Sequence, residues 1–235
     1  AAMLDVLAGR NYDPRTPPID SMLVRSRQTP GRLKIRFATE SPLAEVEPHI
    51  SAGVEQVAAQ LEQLGHAVET HPIFDVSLDD ALPIWCRMAA GLPSVLRSRY
   101  QPSTRWLWEQ GQRYTDADID TRFAARARTV DSWFDDTDLW LTPTVSRSPT
   151  KLGYWREMSG EETFRSAIPY GVFATAFNIS GHPAASVPAG LSPEGLPFGV
   201  QLVGRHGADA TVLAVARQLE QTQPWRHLRS PLHLS

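Results

Sequence analysis

Between residues 33 and 74 three signals follow one another with little chain between them, and together they constrain the fold more than any other part of the sequence. Leu33 to Ala38 (L-K-I-R-F-A) alternates apolar and basic side chains, the period-two pattern of a strand with one wet face. Ile50, Val54, Val57, Leu61 and Leu64 then recur at spacings 4, 3, 4 and 3, which lines one face of a helix. Pro48 suits its first turn, Glu45 and Glu47 suit the positive end of its dipole, and Gly65 stops it. The stretch H-A-V-E-T-H-P-I-F, residues 66 to 74, reads as a second strand. A strand, helix and strand in that order form a β-α-β unit, which ordinarily feeds a parallel sheet because the crossover brings the second strand back in the same direction.

The rest of the chain extends this pattern to an α/β fold, a mixed β-sheet flanked by helices. A length of 235 residues suits one large domain. At the start, M-L-D-V-L-A-G reads as the last turns of an amphipathic helix, so the chain is expected to begin within an element. Residues 10 to 31, rich in Pro, Asp, Arg and Ser, read as an irregular connection. Residues 78 to 135 read as helical and carry or adjoin Trp85, Trp106, Trp108, Trp133 and Trp140, an aromatic set expected to serve packing rather than a ligand. Thr115 to Asp120 reads as a helix start and lacks the glycine and closing glutamate of a calcium loop. Asp138 to Thr144 is a short buried strand, residues 145 to 165 a loop, and roughly 162 to 177 one helix. Ala184 to Ala189 and Phe198 to Gly204 are strands joined by S-P-E-G-L-P as a hairpin, and Asp209 is expected to cap a last helix.

Composition excludes several classes of function. The net charge of -3 gives no electrostatic footprint for nucleic acid. Cys86 is the only cysteine, which rules out an intrachain disulfide and a four-thiolate metal site and fits a cytoplasmic location. No apolar run approaches the roughly 18 residues of a membrane span. The seven histidines contain no H-E-x-x-H and no pair at helical spacing, so no metal site is expected.

The richest stretch for chemistry is F-N-I-S-G-H-P-A-A-S-V-P-A-G, residues 177 to 190, yet it lacks the G-x-S-x-G that a nucleophile elbow needs. Ser186 reads as a strand residue, and Ser180 and His182 as parts of a turn. Residues alone therefore give an α/β protein without an identifiable catalytic set.

The order of signals from Phe177 onward is more specific than any one of them. F-N-I-S-G-H-P-A-A-S-V-P-A-G, the hairpin connection, G-L-P-F-G-V-Q-L-V-G and the final helix together resemble the C-terminal signature of the amidase signature family. D-L-W-L-T-P-T resembles that family's D-x-L-L-x-P-T strand, and L-K-I-R-F, V-E-P-H and G-H-A-V-E resemble its strand, helix and strand. The resemblance covers essentially residues 1 to 235 and implies a partial amidase-signature fold, the C-terminal portion of a single domain. It implies hydrolysis of the C–N bond of a small-molecule carboxylic amide by a Ser-Ser-Lys triad, without metal or cofactor. The serine-rich loop and the lysine strand of the triad have no counterpart here: Lys34 lies on an alternating strand, Lys151 in a loop, and no G-S-S-G-G-S run exists. No catalytic residue is therefore expected in this chain, and its implied partner is an N-terminal amidase half, without which it is expected to be inactive.

By the same resemblance Thr144, Tyr170, Gly171, Thr175 and Asn178 are candidates for binding substrate, with Asn178, Gly181 and Pro183 shaping the turn beside the pocket. In the A subunit of the tRNA-dependent amidotransferase the position seven before the asparagine is an aspartate that holds the amino group of glutamine. Here it is Gly171, which implies a general amidase with a less polar acyl pocket. The competing readings are a non-catalytic binding or structural protein on the same scaffold and an independent hydrolase using Ser186 and His182. An exposed sheet edge in a half-domain further predicts self-association, so a homo-oligomer is possible.

Overall fold

The computed structural model describes residues 1–10, 12–13, 15–72 and 77–225. Two short helices open it, α1 (Ala2–Leu7) and α2 (Met22–Arg25). Gly9, at φ 78°, ends the first as the sequence predicts. Its apolar stripe is nevertheless exposed, with Met3 and Leu7 each about three-quarters accessible. The two helices are tied by Asp5, which is buried and accepts from the backbone N–H groups of Met22 (2.7 Å) and Leu23 (3.1 Å) and from the Tyr12 hydroxyl. Its carboxylate sits at the N-terminus of α2, where unpaired N–H groups favour an anion.

The β-α-β unit follows as β1 (Lys34–Phe37), α3 (Pro48–Gln63) and β2 (Ala67–Thr70). The second strand, Ala67–Thr70, lies within the stretch 66 to 74 that its sequence suggests. The His71 N–H still donates to the Phe37 carbonyl at 2.8 Å; Pro72, without an N–H, cannot extend the ladder, and residues 73 and 74 lie outside the described part. Next come α4 (Leu78–Ala90), a 3-10 turn (Ser94–Arg99), α5 (Pro102–Gly111) and α6 (Asp116–Ser132). Thr115 and Asp118 cap α6 reciprocally.

After β3 (Leu139–Pro143), the expected single helix of residues 162 to 177 is three pieces: α7 (Gly160–Ala167), a 3-10 turn (Ile168–Tyr170) and α8 (Thr175–Ser180). Ser159 and Glu162 form a second capping box, so α7 starts inside the stretch expected to be loop. Pro169 cannot continue an α-helical ladder, and the chain tightens there before restarting at Thr175. Gly181 (φ 76°) ends α8, and the chain enters the hairpin of β4 (Ala184–Leu191) and β5 (Pro197–Gly204). The last helix is α9 (Asp209–Thr222). Asp209 is its first residue and Ala208 its cap, so the expected aspartate cap is displaced by one position into the first turn, where its charge still suits the dipole.

The five strands form one mixed sheet in the order β2-β1-β3-β5-β4. β1 runs parallel to β2 and β3, β5 antiparallel to β3, and β4 antiparallel to β5. Period-two alternation distributes the strands between two layers. Leu139, Leu141 and Leu202 point to the α3 and α9 side with Val54, Leu61 and Val215, whereas Trp140 and Val203 point to the other, against Trp133 of the α6 end and Phe177 of α8. Trp133 and Trp140 are thus core residues, and the Trp140 indole donates to the Trp133 carbonyl at 3.1 Å. Among the described residues no helix is long and apolar enough to cross a membrane.

Candidate functional site

The break between α7 and α8 opens a cleft. Leu78, Ala81 and Trp85, at spacings 3 and 4 on α4, form one wall; Phe164, Ile168 and Val172 form the opposite one. Gly171 and Thr175, with Leu43 and Ala167, complete the lining of this space of about 180 Å³, which carries no charged side chain. The Thr175 hydroxyl donates to the Gly171 carbonyl at 2.8 Å, which keeps its proton off the cavity. Gly171 has φ -125°, open to any residue, and a methyl built on it would only touch Thr175 Oγ1 at 3.7 Å. Its bareness therefore leaves room in the cleft rather than meeting a backbone demand.

The other three candidates lie elsewhere. Thr144, just past β3, pairs its hydroxyl with that of Ser186 on β4 at 2.7 Å, an approach possible because Gly199 between them has no Cβ; one would fall 2.9 Å from Ser186 Oγ. The Tyr170 hydroxyl donates to the Ser148 carbonyl at 3.1 Å and its ring meets Trp155 edge-on. Asn178 is exposed on α8. Of the five, only Gly171 and Thr175 share the cleft.

The nucleophile and base assignments that the sequence leaves open are decided by contacts. Lys34 lies between Asp136 (2.7 Å) and Glu69 (3.4 Å), and the hydrogen bond to Asp136 leads in pushing its pKa up. An ammonium so held cannot act as a neutral base. Cys86 is buried, and burial pushes its thiol up to about 11, which leaves no thiolate nucleophile. Ser186 bonds Thr144 rather than His182. His182 lies in the turn between α8 and β4, as its place before Pro183 suggests, but it is buried: its side chain is 1 % exposed, stacks on Phe134 at 4.6 Å and hydrogen-bonds Ser180 Oγ at 2.7 Å. Burial first, and His206 second, push its pKa below the ordinary value against the pull of Asp131. Ser180 is itself buried under its own helix end, with no open face for a substrate carbonyl. Positions 131, 182 and 206 share no spacing signal, so the sequence could not reveal that their side chains meet.

A family model described as Amidase matches residues 1–213. The chain belongs to the amidase family. The 6-aminohexanoate-cyclic-dimer hydrolase of Pseudomonas sp. (strain NK87) is 31% identical over 256 residues, which covers 96% of this chain and 52% of that protein. A protein of Synechocystis sp. (strain ATCC 27184 / PCC 6803 / Kazusa), provisionally named an amidase, is 30% identical over 227 residues, 94% of this chain and 44% of its own length. The solved structure of a 6-aminohexanoate cyclic dimer hydrolase superposes with a TM-score of 0.75 at 25% identity, over 94% of this chain and 52% of the other. The mixed sheet and its flanking helices are thus those of amidase signature enzymes. The chain spans about half the length of the curated relatives it matches.

Proposed function

We propose that this chain is the C-terminal half of an amide hydrolase and builds the acyl-side wall of its substrate pocket. The observation that carries the reading is the apolar cleft of α4, α7 and α8, lined by two of the positions, Gly171 and Thr175, that the family resemblance assigns to substrate. The reaction has the triad's serine, from the N-terminal half, add to the amide carbonyl; the C–N bond breaks, the amine leaves with a proton from the lysine relay, and water then cleaves the ester. This half contributes position and dryness: Trp85, Phe164 and Ile168 exclude water from the acyl group, which fixes the carbonyl before the serine. A cleft without charge favours a neutral, apolar acyl group over glutamine.

The partner segment covers the face of β4 that Ala184, Ser186 and Pro188 leave bare, and Thr144, Tyr170 and Asn178 border the substrate from that side. Alone, the chain is inactive and open to self-association. A cytoplasmic location fits the single, buried cysteine.

The test uses the full protein with neutral aliphatic or aryl amides and with glutamine. Gly171→Leu should raise KM roughly tenfold or more, the order of effect that a few methylenes have in an apolar pocket. Gly171→Ala should stay near the parent, since its methyl meets only Thr175. Unchanged KM in Gly171→Leu would remove the cleft from the substrate path, and binding without turnover would identify a non-catalytic binding protein on the same scaffold.

A further inference from the structure

Asp131 at the end of α6, His182 in the turn before β4 and His206 in the turn after β5 converge from three separate elements. The Nε2 atoms of His182 and His206 lie 3.6 and 3.2 Å from the same Asp131 oxygen, and the three donor atoms all fall within 4.8 Å of one another. Ligands about 2.0–2.1 Å from a tetrahedral ion are separated by about 3.3 Å, close to the two nitrogen–oxygen spacings of 3.2 and 3.6 Å. The hydrogen bonding behind the cluster orients it. Ser180 Oγ lies 2.7 Å from Nδ1 of His182 and 3.4 Å from the Phe177 carbonyl, so that when it donates to that carbonyl its oxygen can accept Nδ1–H. With the proton on Nδ1, the lone pair of the buried Nε2 is directed toward a carboxylate oxygen, an arrangement of two electron-rich atoms that a cation between them resolves. An imidazole whose other nitrogen donates to a fixed acceptor is the usual arrangement of a metal-binding histidine, and the Phe134 ring, stacked within 12°, holds its plane.

We propose that Asp131, His182 and His206 bind one divalent transition-metal ion of the zinc class. Two imidazoles and a carboxylate suit zinc or nickel and not magnesium or calcium, which prefer all-oxygen sites. Asp131 and His206 are half-exposed, which provides an entry path and lets water supply the fourth ligand. The ion pins α6 to both ends of the β4–β5 hairpin and takes no part in the amide chemistry, so the site stands whether or not the protein is a hydrolase.

The test is zinc titration by calorimetry of the tag-free, chelator-stripped full protein, with cobalt as a spectroscopic probe of geometry. The expected result is zinc binding that weakens roughly tenfold or more in His206→Ala and in Asp131→Asn, with loss of the visible absorption of four-coordinate cobalt. Both side chains are half-exposed, so these variants keep the fold where His182→Ala could lose it. Ser180→Ala should weaken binding roughly tenfold through the orientation of His182. Absence of zinc binding in the parent, or equal binding and cobalt spectra in parent and His206→Ala, would overturn the proposal.

Discussion

Cys86 and Asp5 show how the same fold silences one reactive group and employs another. The Cys86 thiol, pushed by burial to about 11 against the weaker opposing pull of Arg113, carries almost no thiolate near neutral pH. Native protein should therefore resist iodoacetamide at about pH 7.5 and be labelled once unfolded, a difference that intact-mass spectrometry reads directly. Asp5 has the opposite economy of charge: burial raises its pKa, but the Tyr12 hydroxyl and the Met22 and Leu23 amides outweigh this and leave it lowered. The folded state then binds fewer protons than the unfolded one. The contribution of Asp5 is complete above its ordinary pKa of 3.8 and is lost as pH falls through the lower folded value. Asp5→Asn should lower Tm at about pH 7, and the gap from the parent should close toward about pH 3, as followed by circular dichroism. Nothing in M-L-D-V-L-A-G marks that aspartate as an anchor, because the amides it binds lie 17 and 18 residues away.

Helix contacts in this fold are set by small residues at close crossings. Gly111 at the end of α5 lies against α4 so closely that a Cβ there would fall 2.0 Å from the Cys86 carbonyl oxygen, with the Ala90 methyl also in the way. Backbone cannot yield as a flexible side chain can, so Gly111→Ala should cost about 1–3 kcal/mol, seen as a lower urea midpoint at unchanged slope. The break between α7 and α8 opens the cleft, and it was half legible. Ser159 and Glu162 stand at capping-box spacing and Pro169 is a helix breaker, signals sufficient to divide the span 162 to 177. What they cannot supply is the direction in which the chain resumes, which depends on Phe177 finding its place against Trp133.

At the scale of the molecule the sheet ends in β2 on one side and β4 on the other, and among the described residues neither has a partner on its outer edge. With the bare face of β4 and the exposed apolar side chains of α1, these are surfaces that pair or aggregate. The 235-residue chain expressed alone should therefore elute as oligomers by light-scattering chromatography; a monodisperse monomer would contradict this. The sequence by itself determined the β-α-β unit and the strand and hairpin order, because hydrophobic period, capping residues and turn chemistry act over a few neighbouring positions, and it carried the family through the resemblance of its motifs from Phe177 onward. Only the tertiary structure decided that Gly171 and Thr175 share a cleft which Thr144, Tyr170 and Asn178 do not line, and that Asp131, His182 and His206 meet. Such encounters depend on how helices and turns pack across the sheet, and packing over 24 to 75 residues of intervening chain leaves no period in the sequence to read.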